Sequence, residues 1–191
     1  MHVAIVGAGI AGLSCAEVLR SKGCKVRLFD KGRGLGGRMA TRRVTTELGE
    51  ASFDHGAQYF TVRDHAFWEQ VNRWSSEGLA ARWPVAGEDA WVGTPGMNSP
   101  IKAMAAAHEV ILGVRIESIE RIATTWQLRH AGGIDGPFDA LVLAIPAEQS
   151  AALLSLHDFG LARVALHARS QPCWTGMFAF NEVLAAPDTP I

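Results

Sequence analysis

The feature that most constrains this chain lies at its start. An apolar run, His2-Val3-Ala4-Ile5-Val6, leads straight into Gly7-Ala8-Gly9-Ile10-Ala11-Gly12, and a second apolar run at residues 25–30 ends on an acid, Asp30. The two runs read as buried strands and residues 13–22 as the helix between them. Strand, glycine-rich turn, helix, strand and terminal acid is the order of a dinucleotide-binding βαβ unit. Each glycine has its own task there: Gly7 makes the tight turn, Gly9 lets a pyrophosphate approach bare backbone, and Gly12 brings the helix close to the strand. Ile10 and Ala11, within the glycine turn, are further cofactor-binding candidates, and the unpaired N–H groups and positive dipole end of the helix that follows favour an anion. The Asp30 carboxylate is placed to accept hydrogen bonds from ribose hydroxyls. A glycine-rich turn without a ligand is the alternative, and the flanking strand and helix signals weigh against it.

The loop after the acid bears on which dinucleotide. Residues 31–41 read KGRGLGGRMAT, so Lys31 follows the acid and a glycine doublet, Gly36-Gly37, precedes Arg38 and Met39. Two glycines allow the backbone to turn against a cofactor, and Arg38 offers a planar fork to pyrophosphate oxygens. The neighbouring Arg33, Arg42 and Arg43 also suit a solvated basic loop. A nicotinamide-dependent dehydrogenase has no need of this second doublet. The segment resembles the second fingerprint of the flavin amine oxidase superfamily, an R-x-G-G-R pattern just after the ribose-binding acid. Leu35-Gly36-Gly37-Arg38 fits it, and Arg33 stands one place further upstream than that pattern has its first arginine.

Residues 53–64, FDHGAQYFTVRD, narrow the likeness. They resemble the renalase-like branch of that superfamily, the NAD/FAD-dependent oxidoreductases marked by F-D-x-G-A-Q-Y-F-T-x-R-D. The resemblance implies that this segment runs beside the isoalloxazine: Gly56 and Ala57 permit close approach, Gln58 hydrogen-bonds the polar edge, and Tyr59 and Phe60 wall the cavity. For Phe60 a core position is the competing reading, and His55 suits an ordinary loop histidine. Residues 91–97, WVGTPGM, resemble a further element of the family and lead to a helix start at Ser99-Pro100. By the same likeness, residues 108–119 carry a strand whose backbone reads the adenine edge at Ile116, which also suits the core. Residues 126–131, a Gly132-Gly133 turn and the apolar stretch 138–145 read as a hairpin returning to the main sheet, the last strand covered on both faces. Ala144 and Pro146, in the A-x-P at its end, are cofactor-side candidates, with simple strand termination as the alternative. Residues 65–74 read as a helix with core aromatics, 148–156 as another helix, and 171–180 as the first long strand of a substrate domain.

The expected fold is α/β: a Rossmann-like FAD/NAD(P)-binding domain formed by residues 1–65 and 98–150, with an inserted, incomplete, β-rich substrate domain begun by 66–97 and 151–191. Family members continue for roughly as long again, so the resemblance implies a truncated chain rather than a naturally short one, ending in the loop-like composition of residues 185–191. In 191 residues with 48% hydrophobic content there is material for a sizeable core. A formal net charge of −1 and the absence of a long basic run argue against nucleic-acid binding. The first strand begins too early to leave room for a signal peptide, and no apolar run approaches ~20 residues, which predicts a cytoplasmic protein without a membrane partner. Cys15, Cys24 and Cys173 show no C-x-x-C spacing, so neither a disulfide framework nor a metal site is expected.

The resemblance implies an FAD-dependent oxidoreductase that passes hydride from a small substrate, an amine or a dihydronicotinamide isomer, to flavin N5, with O2 reoxidising the flavin and giving H2O2. No acid or base is assigned; Gln58 and Tyr59 are the candidates nearest the reacting face. The alternatives are a non-catalytic dinucleotide-binding fragment and an NAD-dependent dehydrogenase.

Overall fold

A computed structural model describes residues 1–182. In chain order the strands and helices begin with β1 (His2–Val6), α1 (Ile10–Ser21), β2 (Lys25–Asp30), β3 (Thr41–Thr46), β4 (Gly49–Asp54), β5 (Phe60–Thr61), α2 (His65–Ser76), β6 (Ala80–Arg82), β7 (Ala90–Gly93) and α3 (Ser99–Ala105). They continue with β8 (Glu109–Leu112), β9 (Ser118–Ile122), β10 (Thr125–His130), β11 (Gly133–Phe138), β12 (Ala140–Leu143), α4 (Ala147–Leu154) and α5 (Phe159–His167). The described residues divide into two compact units, one of residues 1–37 and 104–173 and the other of 38–103 and 174–182. This division places residues 38–65 and 98–103 in the second unit and 151–173 in the first.

The first unit is built on a parallel sheet in the order β12-β1-β2-β8. Strand β1 is central, and Val3, Ala4, Ile5 and Val6 are all buried, as parallel strands flanked by other layers require. The register sets Val6 beside Phe29 on one side and Leu143 on the other, so the C-terminal ends of β1, β2 and β12 fall together. That is the end at which open α/β sheets bind ligands. A second, antiparallel sheet, β11-β10-β9, lies against the first. Ala4, Val6 and Phe29 from one pack with Ile119, Leu128 and Phe138 from the other, and the rings of Phe29 and Phe138 meet edge to face at 6.0 Å. The hairpin is therefore β10 with β11, not β10 with residues 138–145. That apolar stretch splits at Asp139, whose N–H donates to the His2 carbonyl, and only Ala140–Leu143 joins the parallel sheet. There β12 is an edge among the described strands, and its residues are half-buried rather than covered on both faces.

The second unit holds the β3–β4 hairpin, a small antiparallel sheet in the order β5-β7-β6, and α2. Asp64 caps α2, its Oδ1 accepting the Phe67 N–H at 3.0 Å. Phe60, Phe67 and Trp74 form an aromatic cluster at ring separations of 5.8–6.4 Å. Trp68, expected in the core, is 47% exposed and its ring lies 6.2 Å from that of His65, whereas Val71 and Trp74 on the same helix are buried. Residues 171–180 form no strand, contrary to expectation: an apolar run becomes a strand only when a neighbouring backbone completes its ladder. The loop-like stretch 185–191 lies outside the described residues.

Candidate functional site

In the first unit the glycine turn is as tight at Gly7, and the helix as close at Gly12, as the spacing predicts, for reasons that can be read atom by atom. Gly7 has φ +106°, and a Cβ there would sit 2.4 Å from the Ala144 carbonyl oxygen. A Cβ on Gly12 would sit 1.9 Å from the Gly7 carbonyl oxygen, so only glycine lets α1 start this close to the turn. Gly9 differs from both. Its added Cβ would meet only the Gly37 Cα, at 4.0 Å, so nothing in the protein itself demands glycine at this position. Space kept open by a glycine at the N-cap of a helix is what an approaching ligand needs. No side chain caps α1 and its first turn carries no acid, which leaves the N–H groups of Ile10 and Ala11 for an anion.

Asp30 joins the turn to the second loop. Its Oδ2 accepts the Ala8 N–H at 2.8 Å and its Oδ1 accepts the Gly32 N–H at 2.7 Å. An ionised carboxylate has about four lone-pair sites, so both oxygens keep capacity for ribose hydroxyls. The backbone of Asp30 is equally committed, its carbonyl accepting the Val114 N–H at 2.9 Å. Lys31 reaches α4, where its Nζ donates to Gln149 Oε1 at 3.1 Å. Gly37, at φ +56°, brings the second glycine doublet against the first: a Cβ there would lie 3.3 Å from the Gly9 Cα. Gly36 is buried at φ +135°. Ala144 forms part of the floor beneath Gly7 and Gly12, and Pro146 is the N-cap of α4 with its carbonyl accepting the Gln149 and Ser150 N–H groups. Ile116 lies between β8 and β9 rather than within a strand, and its side chain, 7% exposed, belongs to the core cluster.

In the second unit Arg38 and Met39 lie in one helical turn, Arg38 exposed and Met39 buried. The Arg38 guanidinium makes no hydrogen bond or ion pair with the described residues, whereas its carbonyl accepts the Ala57 N–H at 2.8 Å. Gly56 is required beside it: a Cβ would sit 2.1 Å from the Arg38 carbonyl oxygen. The segment that follows has two exposed side chains, Gln58 and Tyr59, and the Tyr59 ring lies 6.1 Å from that of Trp83. The Phe60 ring is spent on packing against Phe67 and Trp74. Sequence reasoning missed Thr41 and Gln149, since no local spacing announces a partner so far along the chain. Among the described residues no group of three or more His, Cys, Asp or Glu side chains could hold a metal, and no helix is long and apolar enough to cross a membrane.

A turn shaped by glycines, a helix N-terminus without a cap, and an acid at the end of the adjacent parallel strand fit a dinucleotide diphosphate. Residues 5–74 match the NAD(P)-binding Rossmann-like domain family. The L-amino-acid oxidase of Notechis scutatus scutatus is 50% identical over 46 residues, which cover 24% of this chain and 9% of that protein. Among solved structures, one assigned as a protoporphyrinogen oxidase from Exiguobacterium sp. 255-15 superposes with a TM-score of 0.64 at 12% identity, covering 81% of this chain and 61% of its own. Putrescine oxidase, in a redesigned double mutant, superposes with a TM-score of 0.56 at 14% identity over 80% of this chain and 59% of its own. The fold is thus a Rossmann-like dinucleotide-binding α/β fold shared with these oxidases, and the chain spans about three-fifths of the length of the solved structures it matches.

Proposed function

We propose that the protein is an FAD-dependent oxidoreductase of the flavin amine oxidase superfamily, of its renalase-like branch, acting on a small molecule in the cytoplasm. The observation that carries this reading is the pairing of Gly9 with Gly37. Two glycine motifs from different loops approach through bare backbone, where a nicotinamide dehydrogenase would need only the first. When bound, FAD supplies hydride acceptance at flavin N5 and reoxidation by O2 to give H2O2. The protein's own groups bind and orient. Asp30 accepts the adenosine ribose hydroxyls on the lone pairs left by Ala8 and Gly32, the amides of Ile10 and Ala11 take the pyrophosphate, and the Arg38 guanidinium neutralises it. Gly56 and Ala57 give the ring close approach, and Gln58 and Tyr59 present exposed side chains to it. The substrate is an amine or a dihydronicotinamide isomer.

The test is a visible absorption spectrum of the purified protein, taken with its intact mass, followed by anaerobic titration with each substrate class. Flavin bands that bleach with one class support the reading and choose the substrate. Colourless protein that binds NAD tightly would replace it with a dehydrogenase, and flavin bands that no substrate bleaches would leave a binding module.

A further inference from the structure

Beyond the binding groups, one carboxylate in the second unit is placed to control the shape of the cofactor-facing segment. Asp54 and Thr41 are directly opposite partners in the β3–β4 hairpin, and the Thr41 hydroxyl donates to Asp54 Oδ1 at 2.5 Å. The same oxygen accepts the Met97 N–H at 3.1 Å, and Thr41 Oγ1 accepts the Asn98 N–H at 3.4 Å. The loop so held is tight: a Cβ on Gly96 would come 2.9 Å from Thr41 Oγ1, and Met97 is fully buried.

The consequence falls on residues 54–60. They are fastened at one end by the Asp54 carboxylate, in the middle by the Ala57 N–H to the Arg38 carbonyl, and at the other end by Phe60 pairing with Trp91 in β7. Gln58 and Tyr59 have exposed side chains within this span, yet their backbone is fixed on both sides. We propose that Asp54 is a positioning residue: by holding Thr41 and the Met97 amide on one oxygen, it presets the Gly56 to Tyr59 backbone for the flavin, so that less ordering remains to be done on binding. This inference rests on the FAD reading for its ligand, while the preset backbone exists without any ligand.

The experiment compares the full chain with Asp54→Leu, Asp54→Asn and Thr41→Val. Two readouts are taken: amide hydrogen exchange in the ligand-free protein, and FAD affinity from quenching of flavin fluorescence. Asn keeps the Oδ1 acceptor at the same place, so Asp54→Asn should stay within about threefold of the parent affinity. Asp54→Leu removes the acceptor and should weaken FAD binding about tenfold or more, because the Gly56 to Tyr59 backbone must then be ordered as the ligand binds. In the free protein it should speed exchange at Ala57 and Met97 while the Gly7 amide, bonded to the Phe29 carbonyl in the other unit, keeps its protection. Loss of protection everywhere would mean a merely structural role and overturn the proposal, as would Asp54→Asn binding as weakly as Asp54→Leu. If Asp54→Leu does not fold, Thr41→Val decides: a loss of about two- to fivefold with faster exchange at Met97 supports the proposal, and parent-like behaviour overturns it. Failure of the parent protein to bind FAD would refute the function proposed above, and the exchange data would still decide the role of Asp54.

Discussion

The carboxylate of Asp30 holds the backbone amide of Ala8 at 2.8 Å across 22 residues of sequence, so the acid that ends the second strand also fixes the glycine turn that follows the first. The glycine turn and the acid proposed to accept the ribose are therefore one assembly. Asp30→Ala should weaken FAD binding ten- to a hundredfold, because ribose hydrogen bonds to a charged group contribute roughly 1.5–3 kcal/mol. It should also lower the stability of the ligand-free protein by about 1–3 kcal/mol, since the Ala8 and Gly32 N–H groups lose their acceptor. Titration of flavin fluorescence and urea unfolding check the two effects separately; a change in affinity alone would mean that the turn holds its shape without the acid.

Gly9 and Gly12 are three residues apart and should respond oppositely to alanine. At Gly12 the new Cβ would collide with the Gly7 carbonyl oxygen, and the ligand-free protein should lose about 1–3 kcal/mol or more through forced backbone movement. At Gly9 there is room, so stability should change by less than about 1 kcal/mol, the difference between Gly and Ala at an N-cap. Dinucleotide affinity should nevertheless fall at least tenfold for Gly9→Ala, because the methyl group occupies the pyrophosphate's approach. Thermal unfolding beside a binding titration distinguishes the two variants.

Gly56→Ala tests the segment proposed to face the flavin. The added methyl group meets the Arg38 carbonyl oxygen at 2.1 Å and must break the Ala57 N–H bond to it. We expect a loss of about 1–3 kcal/mol from the combined overpacking and the orphaned amide. Urea unfolding followed by tryptophan fluorescence measures it, and an unchanged midpoint would show that the segment relaxes freely.

Stability should also depend on pH through His108. Burial, then the nearby Arg20 guanidinium, hold this imidazole below the ordinary histidine value, with Glu17 pulling the other way. The neutral ring is favoured in the fold, so between the folded value and the unfolded one of about 6.5 the unfolded chain binds the proton more tightly. The stabilisation is complete above about pH 6.5 and is lost as pH falls through that value towards the folded one. Unfolding free energies measured at pH 5.5 and 7.5 should differ in that direction, and His108→Gln should reduce the difference.

Much of the first unit was legible in the sequence because its signals are local. The apolar runs at β1 and β2, the glycine spacing and the terminal acid all act within a short stretch of chain, and they fixed both strands to the residue. The same holds for the helix start at Ser99 and the Gly132-Gly133 turn. What failed were expectations that depended on a neighbour. Residues 138–145 have the composition of one covered strand, yet Asp139 divides them between two sheets, because Phe138 is claimed by the core with Phe29 while Ala140–Leu143 pairs with β1. Residues 171–180 look like a strand and form none. Ile116, expected in a strand, lies between two, although the core position that also suits it is the one it fills.

By itself, then, the sequence determined the nucleotide-binding βαβ unit and the chemistry at its mouth, since turn geometry, helix dipole and a single acid are set by residue type and spacing. Only the tertiary structure decided that Gly37 meets Gly9, that Asp30 holds Ala8, that Lys31 reaches Gln149 and that Asp54 fastens Thr41 to Met97. These partners are distant in sequence and share no periodicity. What brings them together is the packing of whole strands and loops, and a hydrogen bond of ~3 Å is drawn only after that packing has chosen which backbones lie side by side.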